Sequence, residues 1–153
     1  MKFNKFVKTA GVGGTIYRRS NGDNWLYYDN AMMKIPGHLF SLTADDIRRM
    51  PEAYEALINQ GEAGFDCSLT GARMLYPDSG IKDCIRIYSV DGTDYRMGIA
   101  NNDWSLIDRR DMVQMCGERD ENREFVPAAL AIMEYESASS LEMSVVGLIF
   151  PAE

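Results

Sequence analysis

Two short runs of β-branched and aromatic residues, Thr15 to Arg19 and Asn24 to Tyr28, flank Ser20-Asn21-Gly22-Asp23, residues that tolerate positive φ, and the pattern predicts a β-hairpin. Ala31 to Ile35 reads as a continuation of its second strand, broken by Pro36-Gly37. Upstream, Phe3, Phe6, Val7 and Ala10 recur at helical spacing, so Lys2 to Ala10 is expected to form a short amphipathic helix with lysines on its other face. Cys84 to Val90 and Thr93 to Ala100, joined by Asp91-Gly92, predict a second hairpin. Met143 to Phe150 is apolar on both alternations, the pattern of a strand covered on both faces. Phe125 to Tyr135 is expected to be a strand beside it, although Pro127 followed by AALAIME also has a helical composition.

Helical periodicity is expected from Thr43, a good N-cap, to Asn59. Pro51 divides that stretch into two short helices, with Gly61 as the stop. Asn101-Asn102-Asp103 reads as a turn, and Asp108 as the cap of a helix over Arg109 to Cys116 that ends at Gly117. Glu62 to Lys82 is expected to be a long loop with one short strand near Phe65 to Leu69, and loops of that length are often functional. Glu118 to Glu124, six of its seven residues charged, is expected to be an exposed loop. The resulting fold class is α+β: antiparallel β-hairpins forming a mixed sheet packed by three to four short helices, in a single domain spanning residues 1–153.

Composition leaves this picture intact. A chain of 153 residues with 46% hydrophobic and 25% charged positions can bury a sizeable core without a metal or a disulfide. Cys67, Cys84 and Cys116 are widely spaced, which predicts reduced thiols and no zinc site. MKFNKFVKTAG lacks the apolar core of a secretion signal, and no apolar run is long enough to span a bilayer, so a cytoplasmic location is expected.

Charge narrows the function classes. A net charge of −7 disfavours nucleic acid and anionic membranes as partners of the whole surface. Three arginine pairs, Arg18-Arg19, Arg48-Arg49 and Arg109-Arg110, are able to form a local basic patch if the fold brings them together.

Catalytic signals are sparse. His38 is the single histidine and has no identifiable partner, and the GVGG run at Gly11 follows a helix and precedes a strand, the reverse of a phosphate loop. Asp45-Asp46, Asp103/Asp108/Asp111 and Glu118/Asp120/Glu121 are carboxylate groupings on which a Mg²⁺-dependent hydrolase would have to rely. No enzyme, cofactor or metal is expected. Arginines beside aromatic rings are the residue types that dominate interface hot spots and stack on nucleotides, which selects Arg18, Arg19, Trp25, Tyr27, Tyr28, Trp104 and Arg109 as candidate binding residues. Trp25 and Tyr27 share one face of their strand and Tyr28 takes the other, so part of this cluster must be core.

The order of elements over IDRRDMVQMCG, FVPAALAIMEY and VVGLIFPAE is similar to the half-domain of sliding clamps, in which helices line a ring and sheets form its outside. That resemblance implies a DNA-associated oligomer with Lys2, Lys5, Lys8, Arg109 and Arg110 on inner helices. In size, acidity and lack of motif the chain resembles accessory proteins encoded by phages and mobile elements. The expected function is a small, acidic, non-enzymatic binding protein, a homo-oligomer whose partner is a host protein or a small nucleotide. The clamp-like oligomer and the Mg²⁺-dependent hydrolase are the alternatives.

Overall fold

A computed structural model describes residues 1–11, 13–37, 47–61, 64–74, 84–137, 139 and 141–152. It has an α+β fold built on an open eight-stranded sheet. Helix α1 (Phe3–Ala10) is followed by β1 (Thr15–Arg18), β2 (Asn24–Tyr28), β3 (Ala31–Lys34), β4 (Ile47–Arg49) and helix α2 (Glu52–Gln60). The chain continues through β5 (Phe65–Asp66), β6 (Ser68–Met74), β7 (Ile85–Ser89), β8 (Arg96–Ala100), the single-turn α3 (Asn101–Trp104), β9 (Met112–Arg119), β10 (Phe125–Tyr135) and β11 (Met143–Ile149). The large sheet has the order β4-β1-β2-β3-β11-β10-β9-β5, and β6-β7-β8 form a second, three-stranded sheet. Every pairing is antiparallel except that of β1 with β4.

Side-chain alternation divides the core into two layers. Ala31, Met33, Met115, Leu130, Ile132 and Ile149 face α1 and the small sheet, where Phe6, Tyr88, Met97, Ile99 and Leu106 meet them. Trp25, Met32, Cys116, Ala131, Met133 and Leu148 face α2, which contributes Leu57 and Ile58. Central strands β10 and β11 are therefore covered on both faces, the condition their continuous apolar sequence requires. No helix among the described residues is long and apolar enough to cross a membrane.

Both expected hairpins form, and α1 ends at Gly11, whose φ of +54° favours glycine. Several expectations are corrected, among them the long loop expected over Glu62 to Lys82, within which Ser68–Met74 form β6. Ala31 to Ile35 does not extend β2: Asp29, at φ +55°, and Asn30 make a tight turn, and β3 folds back antiparallel on β2. Residues 47–49 are a strand rather than helix, because Pro51 biases the preceding residue away from helical angles and β1 offers a parallel edge. Only the second of the two helices placed after Thr43 is seen, with Pro51 as its N-cap; Thr43 itself, His38 and Asp45-Asp46 lie outside the described residues.

A further correction concerns Arg109 to Cys116. Residues 112–119 form β9, in full antiparallel register with β10, and Gly117 sits inside that strand rather than ending a helix. Met112, Val113 and Cys116 satisfy helical spacing, but Met115 and Cys116 are neighbours buried in opposite layers, an arrangement only a strand permits. The inner helix on which the clamp resemblance depends is thus a sheet strand. The described helices number three, and α3 stands where a turn was expected.

Candidate anion-binding cleft

The parallel β1/β4 pairing puts Tyr17 beside Arg48 and Arg18 beside Arg49. Two arginine pairs far apart in sequence therefore share one sheet edge. Together with the first turns of α2 they line a cleft of about 740 Å³ that includes Arg18, Arg19, Arg48, Arg49, Glu52 and Met50.

Arg19 is already engaged. Its Nη2 donates to Asn59 Oδ1 at 2.8 Å, and its guanidinium lies 3.5 Å from Glu55, which also accepts the Ser20 backbone N–H at 2.9 Å. Glu55 and Asn59, one helical turn apart on α2, thereby pin the hairpin tip to the helix. Among the described residues the Arg18 side chain donates to Asn24 alone, at 3.0 Å. The Arg48 and Arg49 side chains are exposed and have no hydrogen-bond or ion-pair partner among the described residues.

The other candidate residues separate. Trp25 is fully buried in the layer facing α2 and presents no surface. Tyr27 joins Tyr17, Tyr54 and Phe150 in a half-buried aromatic cluster, stacked on Tyr54 at a centroid distance of 5.9 Å. Burial, followed by the adjacent Tyr54, raises the Tyr27 phenol above its ordinary pKa. Tyr28 packs on the opposite side of the sheet, against the α1 layer. Trp104 and Arg109 border a separate groove of about 420 Å³ with Cys67 and Met112, where Arg86 lies 4.2 Å from the Trp104 ring centre. Sequence reasoning saw the arginine pairs as a potential patch but selected only Arg18, Arg19 and Arg109; Arg48 and Arg49 enter the site through a long-range parallel pairing with no local signal.

Burial pushes the Cys67 thiol up to about 12 and the Cys116 thiol to about 11, which keeps both protonated and unreactive at neutral pH. Among the described residues no group of three acidic, histidine or cysteine side chains is placed to hold a metal. Asp111 is committed to the Met1 ammonium at 2.7 Å, and the Arg110 backbone N–H holds the exposed Asp108 carboxyl below its usual range.

Asp103 differs from these. It is buried, its Oδ2 has no hydrogen-bond partner among the described residues, and burial, with Asp29 nearby, raises its pKa from 3.8 to about 6. A carboxyl whose pKa is raised by folding stabilises the fold below the unfolded value and loses that contribution as pH rises through the folded one. Asp103 therefore favours the folded state at pH 4 and opposes it above pH 6. Asp103→Asn is expected to be more stable than the parent at pH 7 by about 1 kcal/mol, less than the rise in pKa alone would give because residual solvent screens the charge, with the difference vanishing near pH 4. Urea midpoints of both proteins across that range check it, and a constant difference would locate the effect elsewhere.

No family model, curated protein or solved structure matches the chain.

Proposed function

We propose that this chain is a non-enzymatic binding protein that holds a phosphate-bearing anion between β1, β4 and α2. The observation that carries this reading is the convergence of Arg18, Arg48 and Arg49 on one cleft, with Arg48 and Arg49 unpartnered among the described residues of a protein whose net charge is −7. Arg18 and Arg49, paired across adjacent strands, share one face, and guanidinium forks suit the oxygens of a phosphate, which they bind in bidentate fashion. Glu52 and Glu55 in the first turn of α2 offset the positive end of the helix dipole, so the guanidiniums rather than the helix end supply the attraction.

Calorimetric titration with inorganic pyrophosphate tests the reading. Binding is expected at low salt and should weaken as ionic strength rises. Charge-assisted hydrogen bonds contribute about 1.5–3 kcal/mol each, so Arg48→Ala/Arg49→Ala should lower affinity by about 100-fold or more while leaving the thermal midpoint unchanged. Undiminished binding by the double variant, or none by the parent protein at low salt, overturns the proposal.

A further inference from the structure

Consecutive residues Ile47, Arg48, Arg49 and Met50 all line the arginine cleft. A cleft on one face of a sheet would take every second residue of a strand, and one that takes them all runs along the strand's free edge. Strand β4 supplies that edge. It stands last in the large sheet, with β1 on one side and no strand on the other among the described residues.

Backbone groups are open along it. The Met50 N–H donates to the Arg18 carbonyl at 2.9 Å, so Met50 and, two residues back, Arg48 turn their backbone toward β1. Alternation then directs the N–H and C=O of Ile47 and Arg49 outward, where no backbone bond meets them among the described residues. The side chains divide as well. Arg48 shares the face of Tyr17, on the α2 side, and Arg49 shares the opposite face with Arg18. An extended chain laid along β4 answers both features: its backbone completes the ladder, and its successive side chains fall on the two faces, one beside Arg18 and Arg49 and the next beside Arg48. Charged side chains on a sheet edge turn uncharged strands away, and guanidiniums on both faces admit a strand that brings its own anions. Glu52, at the start of α2, borders the cleft with a like charge, which confines the anionic positions to those beside β1 and β4.

We infer that the phosphate-bearing anion is an extended peptide that adds to β4 as a further strand, with a phosphorylated residue beside Arg18 and Arg49 and an acidic residue next to it in sequence beside Arg48. This inference rests on the reading of the arginine cleft as a phosphate site. It adds the chemical class of the ligand and the backbone contacts that distinguish it from a free phosphate.

Calorimetry at low salt separates the two levels of the reading, with a short peptide in which phosphoserine stands between two glutamates set beside inorganic pyrophosphate. The peptide is expected to bind at least about tenfold more tightly, because backbone hydrogen bonds are added to the phosphate contact. Arg49→Ala and Arg49→Pro isolate the ladder. Both remove the guanidinium, but only proline removes the outward N–H, and an edge strand tolerates proline where its N–H faces solvent. The two variants should bind pyrophosphate alike, and the proline variant should bind the peptide about fivefold more weakly than the alanine variant. A peptide N-methylated along its backbone keeps every side chain and offers no N–H; it tests the same bonds without altering the protein, and about a tenfold loss is expected. If the peptide binds no more tightly than pyrophosphate, the added strand is refuted while the phosphate cleft stands. If the N-methylated peptide binds as tightly as its parent, the ladder is refuted whatever the proline variant does. If neither peptide nor pyrophosphate binds at low salt, both readings fall together.

Discussion

Trp25→Ala is expected to lower the stability of the folded chain by about 3–5 kcal/mol, whereas Trp25→Phe should cost no more than about 1 kcal/mol. The indole is fully buried among Met32, Met50, Leu57 and Leu148, at the layer where α2 closes over the sheet. Truncation to alanine removes the largest wholly buried side chain of that layer and leaves a cavity that neighbouring strands, fixed by their ladders, cannot collapse to fill. Phenylalanine keeps most of that volume. It also removes an indole N–H that is buried without a hydrogen-bond partner among the described residues, so the polar part of the substitution carries no penalty and recovers some desolvation. Urea titrations at fixed pH, read as midpoints with unchanged slope, check both values. The Phe variant should bind pyrophosphate as the parent does, since Trp25 is not among the residues lining the arginine cleft. An alanine variant within 1 kcal/mol of the parent would show that this layer is not the core described.

The contrast between Trp25 and Arg48 indicates what was legible in the sequence. Local patterns revealed the elements whose partners are near in the chain: α1, the β1–β2 hairpin, the β7–β8 hairpin and the doubly covered β11. They failed where pairing is long-range. Residues 47–49 are a strand because β1 lies alongside, and residues 112–119 are a strand because β10 and β5 pair with its two edges; neither fact leaves a periodic trace strong enough to outweigh a helix-like spacing. The candidate site followed the same rule. Aromatic and arginine content made the first hairpin conspicuous, yet strand alternation sends Trp25 into one core layer and Tyr28 toward the other. Arg48 and Arg49 stand out locally as a pair, but that they line a cleft with Arg18 follows only from the parallel pairing that carries them to it.

Gly117→Ala is expected to destabilise the fold by about 3 kcal/mol, near the top of the range for adding one carbon to a packed interior. Gly117 pairs with Pro127 at the point where the β9–β10 register shifts, and there the two backbones approach closely. A Cβ at this position would collide with the Val126 carbonyl oxygen and lie 2.9 Å from two ring atoms of Phe125. Neither neighbour is the free end of a flexible side chain. The carbonyl belongs to the ladder, and Phe125 is packed edge-on against Phe65 and tilted on Tyr95, with ring centres 5.0 and 4.8 Å away. Relief of the clash therefore requires separating β9 from β10 or displacing the ring cluster that joins β5, β10 and the turn before β8. Gly71→Ala supplies the comparison: in β6, with nothing within 4 Å of the added carbon and no positive φ, it should change stability by less than about 0.5 kcal/mol. Thermal and urea unfolding of the two variants beside the parent decide the matter. Equal, small effects would mean that the strands do not meet as closely as their register implies, and the helix once expected over residues 109–116, with Gly117 as its stop, would again have to be considered for this segment.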